Sequence, residues 1–286
     1  MIRLLYAKKP SVSLCETAFY KSTLLSYISQ NDFIKNMEID PKNLNQSIIK
    51  AFTLLDAFTT DKKEWGVREL ATKSDYNKST TYRLLSTLVS LQVVQQNENE
   101  KYSLGSKLFE LGNRVSLYQS LINATKIAIR DIALEIQETV LYGVIKDHQV
   151  FYINKAESVQ GLKISTSVGS YQPIHATAIG KVLAAFSSDA KQQNLLKLIN
   201  FNSYTKNTII NKNNFITELK KIKTQGYALD LEEFELGLVC VAIPVFNNNN
   251  KLIGSISASG PSSRFELKNV KNYITILKNG AHKINL

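Results

Sequence analysis

The sequence predicts an α+β protein in two parts, and three observations support this fold class. Three amphipathic helical segments followed by a β-hairpin lie between Ser47 and Leu104, which is the element order of a winged helix-turn-helix. A further helical segment follows and is expected to act as a linker helix. The rest of the chain alternates strands and helices, a pattern typical of a central antiparallel sheet flanked by helices.

The expected boundaries divide the chain into four stretches. These are an N-terminal extension over residues 1–43, the winged helix-turn-helix over 44–105, the linker helix over 106–120 and a larger domain over 121–286. Residues 1–36 carry no recognisable motif. Because Met37 is the only methionine besides Met1, two interpretations stay open: translation starts at Met37, or the segment is a poorly ordered arm.

Composition excludes several classes of protein. The 286 residues are 44% hydrophobic, which is enough to bury a core, and they contain no apolar run of about 18 residues that would predict a transmembrane helix. Two distant cysteines, Cys15 and Cys240, indicate a reducing, cytoplasmic environment without a disulfide framework. The three histidines are scattered, so neither a metal site nor a cofactor is predicted.

The net charge of +11 favours a polyanionic partner such as DNA. Its distribution weakens that interpretation, because residues 1–120 carry 16 basic and 12 acidic side chains whereas residues 121–286 carry 19 and 12. The excess is therefore not concentrated in the helix-turn-helix. An ordinary soluble basic protein would show the same balance.

Local patterns predict the elements of the first part. Ser47 begins a helix with Ile48, Phe52 and Leu55 on one face. The next elements are a helix over 68–73, a turn over 74–77, a helix over 78–91 and strands over 93–96 and 101–104. From residue 106 to 122, apolar residues recur at spacings of three and four, at Leu108, Leu111, Val115, Tyr118 and Ile122. This seam fits either a helix that packs on its own domain or a linker helix that dimerises two chains.

The third helix has two distinct faces. Thr80, Arg83 and Thr87 share one face. The opposite, apolar face is formed by Leu84, Leu88 and Leu91. A DNA-recognition helix needs this division, although an ordinary surface helix with its polar residues outward would look similar.

The second part is expected to contain two hairpins and three helices. The strands are predicted over 140–145, 150–154, 238–246 and 252–259, and the helices over 179–186, 215–225 and 267–283. Gly226 is a suitable C-terminal stop for the middle helix.

Three separated motifs resemble the IclR family of bacterial transcription regulators. They are KSTTYRLL at 78–85 with KYSLG at 101–105, HATAIGK at 175–181, and GYALD at 226–230 with EEFELGLVCVAIPV at 232–245 and SASGP at 257–261. The resemblance covers about residues 45–284 and implies a winged helix-turn-helix joined to a GAF-like effector-binding domain. Asp75 and Asn77 depart from the glycine and proline common in the family's turn, but both residues suit a turn and a helix cap.

The resemblance implies two sets of site residues and no catalytic residue. The DNA-binding candidates are Lys78, Ser79, Thr80, Thr81, Arg83, Thr87 and Lys101. The effector-binding candidates are Ile164, Ala178, Ile179, Asp230, Cys240, Ser257 and Ser259. In the family, helix-start amides hold a small acid, which agrees with the attraction of helix N-termini for anions. Taken alone, Cys240 is better explained as a small buried core residue, and Glu232, Glu233 and Glu235 as a solvated or structural run rather than as catalytic carboxylates.

The predicted function is a DNA-binding regulator, controlled by a small organic acid and acting as a homodimer or a dimer of dimers. KYSL at 101–104, KLFELG at 107–112 and TAIGKVL at 177–183 are similar to the branch that regulates sugar-acid breakdown, so a keto or sugar acid is the expected effector. The alternatives are a metabolite-binding module or enzyme that shares the fold, and a dimeric scaffold with a vestigial sensor. The absence of a nucleophile–base pair in the sequence disfavours an enzyme.

Overall fold

A computed structural model describes residues 44–59, 61–116, 118–160, 164 and 166–284. The chain divides into two compact units, one up to Arg114 and one from Val115 onward. The predicted N-terminal extension, with Met37 and Cys15, lies outside the described residues. Of the helices within the described ranges, none has the length and apolar character needed to cross a bilayer.

The first unit has the predicted order of elements. Its helices are α1 (Gln46–Leu55), α2 (Val67–Ser74), α3 (Lys78–Ser90) and α4 (Ser106–Asn113), and its antiparallel strands are β1 (Val94–Gln96) and β2 (Tyr102–Leu104). Leu54, Leu70 and Leu85 form the centre of its core and are fully buried. These elements form the winged helix-turn-helix that the sequence predicted.

The turn between α2 and α3 follows the local chemistry of its residues. Asp75 adopts the left-handed conformation (φ 57°) at the C-terminus of α2. The Asn77 side chain caps α3 by accepting a hydrogen bond from the Thr80 amide at 2.7 Å. The departures from glycine and proline at these positions therefore preserve the turn.

Two expectations for this unit are wrong. The buried stripe of α3 consists of Thr81, Leu85 and Leu88, whereas Leu91 is 58% exposed at the end of the helix. The predicted continuous helix over 106–122 is broken, because α4 ends at Asn113 and the next helix begins at Gln119. Gly112 and Asn113 are poor helix formers and weaken the helix at this point.

The second unit contains one six-stranded sheet and its helices. The strands are β3 (Thr139–Lys146), β4 (Gln149–Ala156), β5 (Tyr171–Gln172), β6 (Ala228–Leu231), β7 (Leu238–Phe246) and β8 (Leu252–Pro261). The helices are α5 (Gln119–Ile136), α6 (Ala178–Phe186), α7 (Asp189–Leu198), α8 (Lys212–Gln225) and α9 (Val270–Ala281), with a 3₁₀ turn at Leu267–Asn269 before α9.

The sheet is antiparallel, in the order β5-β4-β3-β8-β7-β6, and helices cover both of its faces. One face packs against α5 and α9, with Val140, Val241 and Ile256 in the core between them. The other face packs against α6 and α8, around Ile179, Phe215 and Ala242. This arrangement confirms the predicted class, a central antiparallel sheet flanked by helices.

Candidate functional site

The exposed face of α3 carries five of the seven predicted DNA-contact residues. Lys78, Ser79, Arg83 and Thr87 are exposed, and Thr80 is partly exposed. The Thr87 hydroxyl donates to the Arg83 carbonyl at 3.0 Å, so in this rotamer it offers an acceptor and a methyl group outward. A long cation beside short hydroxyls can reach phosphates and base edges in a major groove.

Thr81 is not part of this face, so the prediction that it contacts DNA is wrong. Its side chain is fully buried and donates to the Asn77 carbonyl at 3.1 Å. Tyr82, which the sequence argument passed over, is 56% exposed. The signal that could have identified it was its position directly before Arg83 on the helix.

The wing strand β2 is attached to α2 by an ion-pair cluster. Glu69 accepts from Lys101 and from Lys62, each at 2.9 Å, and it also accepts from the Gly66 amide at 2.7 Å. The amide hydrogen bond and the two ammonium groups lower the pKa of Glu69 to about 2. Lys101, the predicted wing contact, is therefore engaged within the domain.

In the second unit, all seven predicted effector-site residues line one pocket. They share it with Leu141, Tyr152, Thr166, Gln172, Thr177, Phe234 and Leu238. Its bounding atoms surround about 350 Å³ of empty space, including the part that opens to solvent. These further residues were not predicted. Most of them, such as Leu141, Tyr152 and Gln172, reach the pocket only through the pairing of strands distant in the chain.

Strand register explains how the sheet side of the pocket forms. Asp230 pairs with Cys240, and Cys240 pairs with Ser259, so three neighbouring strands bring these side chains into one row. Ser257 lies two residues from Ser259 and therefore points to the same face. The two serine hydroxyls are 3.3 Å apart.

The N-terminus of α6 forms the opposite side. The Thr177 side chain accepts from the Gly180 amide at 3.2 Å and donates to the Pro173 carbonyl at 2.8 Å, which fixes the first turn. Among the contacts of the described residues, none satisfies the amides of Ala178 and Ile179. Such amides at a helix start attract a carboxylate.

A buried charged cluster lies behind the pocket. The Lys181 ammonium contacts Glu233 Oε1 at 2.5 Å, and the lysine is 1% exposed. Asp230, also 1% exposed, accepts from the Glu233 amide at 2.7 Å. Glu233 was expected to belong to a solvated or structural run, and its buried contact with Lys181 gives it the structural role. Lys181 was not predicted as its partner.

Burial shifts the ionisation of the pocket groups. It raises the pKa of Asp230 to about 7, although the Glu233 amide and the Lys181 ammonium act in the opposite direction. Burial also raises the pKa of the Cys240 thiol well above its usual value and that of the Tyr152 phenol. Cys240 is therefore a neutral thiol that both lines the pocket and belongs to the core.

The pocket has the chemistry of a binding site for a small polar ligand. The N-terminal residues of α6, two serine hydroxyls and one carboxyl line a space whose other walls are both apolar and polar, the polar ones including Thr166 and Gln172. Within the described part of the chain, no three His, Cys, Asp or Glu side chains come together in a way that could hold a metal ion.

Two family models match this chain. The chain matches the model of the bacterial transcriptional regulator IclR C-terminal domain over residues 113–286. It also matches the IclR helix-turn-helix domain over residues 47–98. The two matched regions contain the pocket and α3, respectively.

Individual relatives are similar over most of their length. The chain is 34% identical over 285 residues to the HTH-type transcriptional regulator KdgR of Dickeya chrysanthemi, covering 99% of this chain and 93% of that protein. It is 35% identical over 240 residues to KdgR of Escherichia coli strain K12, covering 84% and 91%. The crystal structure of the Thermotoga maritima IclR superposes with a TM-score of 0.68 at 29% identity, covering 84% and 97%. The chain therefore belongs to the IclR family of transcriptional regulators, which are not enzymes.

Proposed function

We propose that this regulator binds operator DNA through α3 and that a small keto or sugar acid in the pocket controls this binding. The observation that carries the proposal is that the N-terminal residues of α6 line the same pocket as Asp230, Ser257 and Ser259. The amides suit a carboxylate, and the side chains of the sheet suit hydroxyl or carbonyl oxygens. The likeness to two proteins named KdgR, together with the sugar-acid-branch motifs, favours this class of acid.

Thermal denaturation of the full chain with a panel of acids tests the effector class. The panel is D-gluconate, D-glucuronate, 2-keto-D-gluconate and pyruvate, with D-glucose as the control that lacks a carboxylate. An acid at about 100 times its Kd stabilises the native state by about 2.7 kcal/mol and raises Tm. The acid that binds should also change the affinity for DNA. A Tm that no acid raises contradicts the proposed class.

Two serines provide a matched pair for locating the ligand. Ser259→Ala removes a pocket hydroxyl and should weaken acid binding by about 1 kcal/mol, while DNA affinity is kept. Ser262→Ala makes the same change at an exposed position just beyond β8 and should have no effect. Full acid affinity in both Ser259→Ala and Asp230→Ala, measured by calorimetry, would exclude this pocket.

Arg83 tests the DNA-contact face. DNA fragments selected from a random pool by the full-length protein provide the probe, and fluorescence anisotropy at fixed salt gives the affinity. Arg83→Ala should weaken binding by about 1–3 kcal/mol if the guanidinium contacts a base. Arg130→Ala is the control, because it removes the same charge from an exposed position on α5. Equal affinities of the two variants would rule out Arg83 as a major contact.

We further propose that the regulator acts as a homodimer or a dimer of dimers. Because the helix over 106–122 is interrupted, the apolar seam is not continuous and no longer supports dimerisation. Exposed apolar side chains remain: Ile48 and Phe52 lie four residues apart on α1, and Phe109 on α4 is 75% exposed. Large apolar side chains exposed in this way are typical of contact surfaces. Light scattering that finds only monomer at micromolar concentration, with and without DNA, would refute the proposal.

A further inference from the structure

The buried groups at the base of the pocket have an unequal charge count. Asp230 and Glu233 are two carboxyl groups with 1% and 8% exposure, and Lys181, also 1% exposed, is the buried cation that contacts Glu233. The Lys181 ammonium lies 2.5 Å from Glu233 Oε1, so this cation is committed to Glu233. Asp230 lines the pocket, accepts a 2.7 Å hydrogen bond from the Glu233 amide, and forms no ion pair with a cation of the described residues.

We propose that Asp230 holds the effector as a neutral carboxylic acid, so that an anionic acid entering the pocket above neutral pH brings one proton with it. This inference rests on the proposed function and adds a specific role for Asp230. An ionised Asp230 would repel a carboxylate in the same enclosed space and could only accept hydrogen bonds. The neutral acid removes the repulsion and supplies a donor.

The charge that α6 can offer supports this role. A helix N-terminus carries the equivalent of roughly half a positive charge. This charge is too small to balance an ionised Asp230 and a ligand carboxylate together. Because Lys181 is already paired with Glu233, the pocket can accept a ligand carboxylate at Ala178 and Ile179 only if the Asp230 carboxyl is neutral. Burial acts in this direction, since it raises the pKa of Asp230 to about 7.

The other ionisable groups that face Asp230 do not replace it as the proton acceptor. Cys240 on β7 and Tyr152 on β4 are already protonated near neutral pH, because burial raises the pKa of each. Lys181 on α6 is the cation of the cluster. Burial raises the pKa of Glu233 as well, but the Lys181 ammonium in contact with Glu233 Oε1 acts against that rise, and Asp230 has no such contact. Asp230 is therefore the group whose ionisation changes when an acid binds near pH 8.

Calorimetric titration of the full chain with the four acids of the panel tests the inference. Each titration is run near pH 6 and near pH 8, in two buffers that differ in ionisation enthalpy, so that the buffer dependence of the heat gives the protons taken up. With a free pKa of about 7, we expect nearly one proton at pH 8 and almost none at pH 6. The Kd should rise about tenfold between the two pH values.

Two variants identify the group that takes up the proton. Asp230→Asn keeps a neutral side chain of the same shape, so proton uptake should vanish and Kd should be equal at both pH values. Glu235→Gln changes an exposed carboxylate in the same chain segment and should retain the wild-type dependence. If Asp230→Asn does not fold, the buffer dependence of the heat in the wild type still shows whether a proton is taken up at pH 8, and its absence overturns the inference.

The outcomes separate the two proposals. Acid binding with equal affinity at both pH values and no proton uptake overturns this inference alone. Uptake that persists in Asp230→Asn also overturns it. No binding by any of the four acids at either pH contradicts the proposed effector class and this inference with it.

Discussion

Replacing Lys181 by methionine should destabilise the second unit strongly. The variant keeps the length of the side chain but leaves the buried Glu233 carboxylate without its cation. At 2.5 Å and an effective dielectric constant of about 20, the gross Coulomb attraction of the pair is about 7 kcal/mol. Part of this Coulomb attraction offsets the cost of removing both charges from water. Removing one partner of a buried ion pair destabilises a protein by about 3–5 kcal/mol. We expect a loss of that size near pH 7.5.

The pH dependence of this loss follows from the carboxyl group that remains. Burial already raises the pKa of Glu233 in the wild type, and loss of the ammonium raises it further. When an acidic group has a higher pKa in the folded than in the unfolded protein, its protonated form stabilises the native state. This stabilisation is complete below the pKa of the unfolded protein and disappears as pH rises through the pKa of the folded protein. The destabilisation by Lys181→Met should therefore be smaller near pH 5 than near pH 7.5.

Urea denaturation of the full chain measures the effect. Trp65 is the one tryptophan of the sequence and lies in the first unit, so its fluorescence should report an unchanged transition. Far-UV circular dichroism should show the loss of stability of the second unit. The double variant Lys181→Met/Glu233→Leu should recover most of the stability. A loss below about 1 kcal/mol at pH 7.5, or an equal loss at pH 5, would refute the reasoning.

Two other substitutions have definite expected outcomes. Gly180→Ala would place a Cβ 2.4 Å from the Ile174 carbonyl oxygen, a backbone atom that cannot swing aside, so we expect about 1–3 kcal/mol of destabilisation and weaker acid binding; an unchanged Tm would contradict this. Glu69→Gln removes the partner of Lys62 and Lys101, so DNA affinity should depend more steeply on salt, which anisotropy titrations at several salt concentrations measure. An unchanged slope would show that neither lysine reaches the phosphates.

Local chemistry made much of the fold predictable. The cap at Asn77 and the left-handed Asp75 depend on neighbouring residues only, and the structure has both. The hairpin of β3 and β4 was likewise expected around its turn, where Asp147 and His148 both have positive φ. Such features can be read from a few consecutive residues.

Features that depend on distant partners were misread or missed. The apolar stripe Leu84, Leu88 and Leu91 matches the helical period as well as the true stripe does. Packing against α1, α2 and β1 selects Thr81 and Leu85 for the interior. A lone lysine in an apolar helix gives no sign of burial, because its partner Glu233 is 52 residues away. The strands β5 and β6 and the helix α7 were missed as well.

The pocket was anticipated by resemblance rather than by periodicity. All seven predicted residues line it, but no local pattern places Ile164 beside Ser257, and the strand register that aligns Asp230, Cys240 and Ser259 is a property of the folded sheet. Their role in holding an effector stays a prediction.

The two sides of the pocket differ in how they respond to mutation. The α6 side offers main-chain amides at Ala178 and Ile179, and no side-chain substitution removes a main-chain amide except replacement by proline. The sheet side offers Asp230, Ser257 and Ser259, each of which a single codon change can alter. Mutations of the sheet residues can therefore change which acid the pocket prefers, while the α6 amides keep the capacity to bind a carboxylate. A library restricted to these three positions is the economical route to a regulator that responds to a different acid.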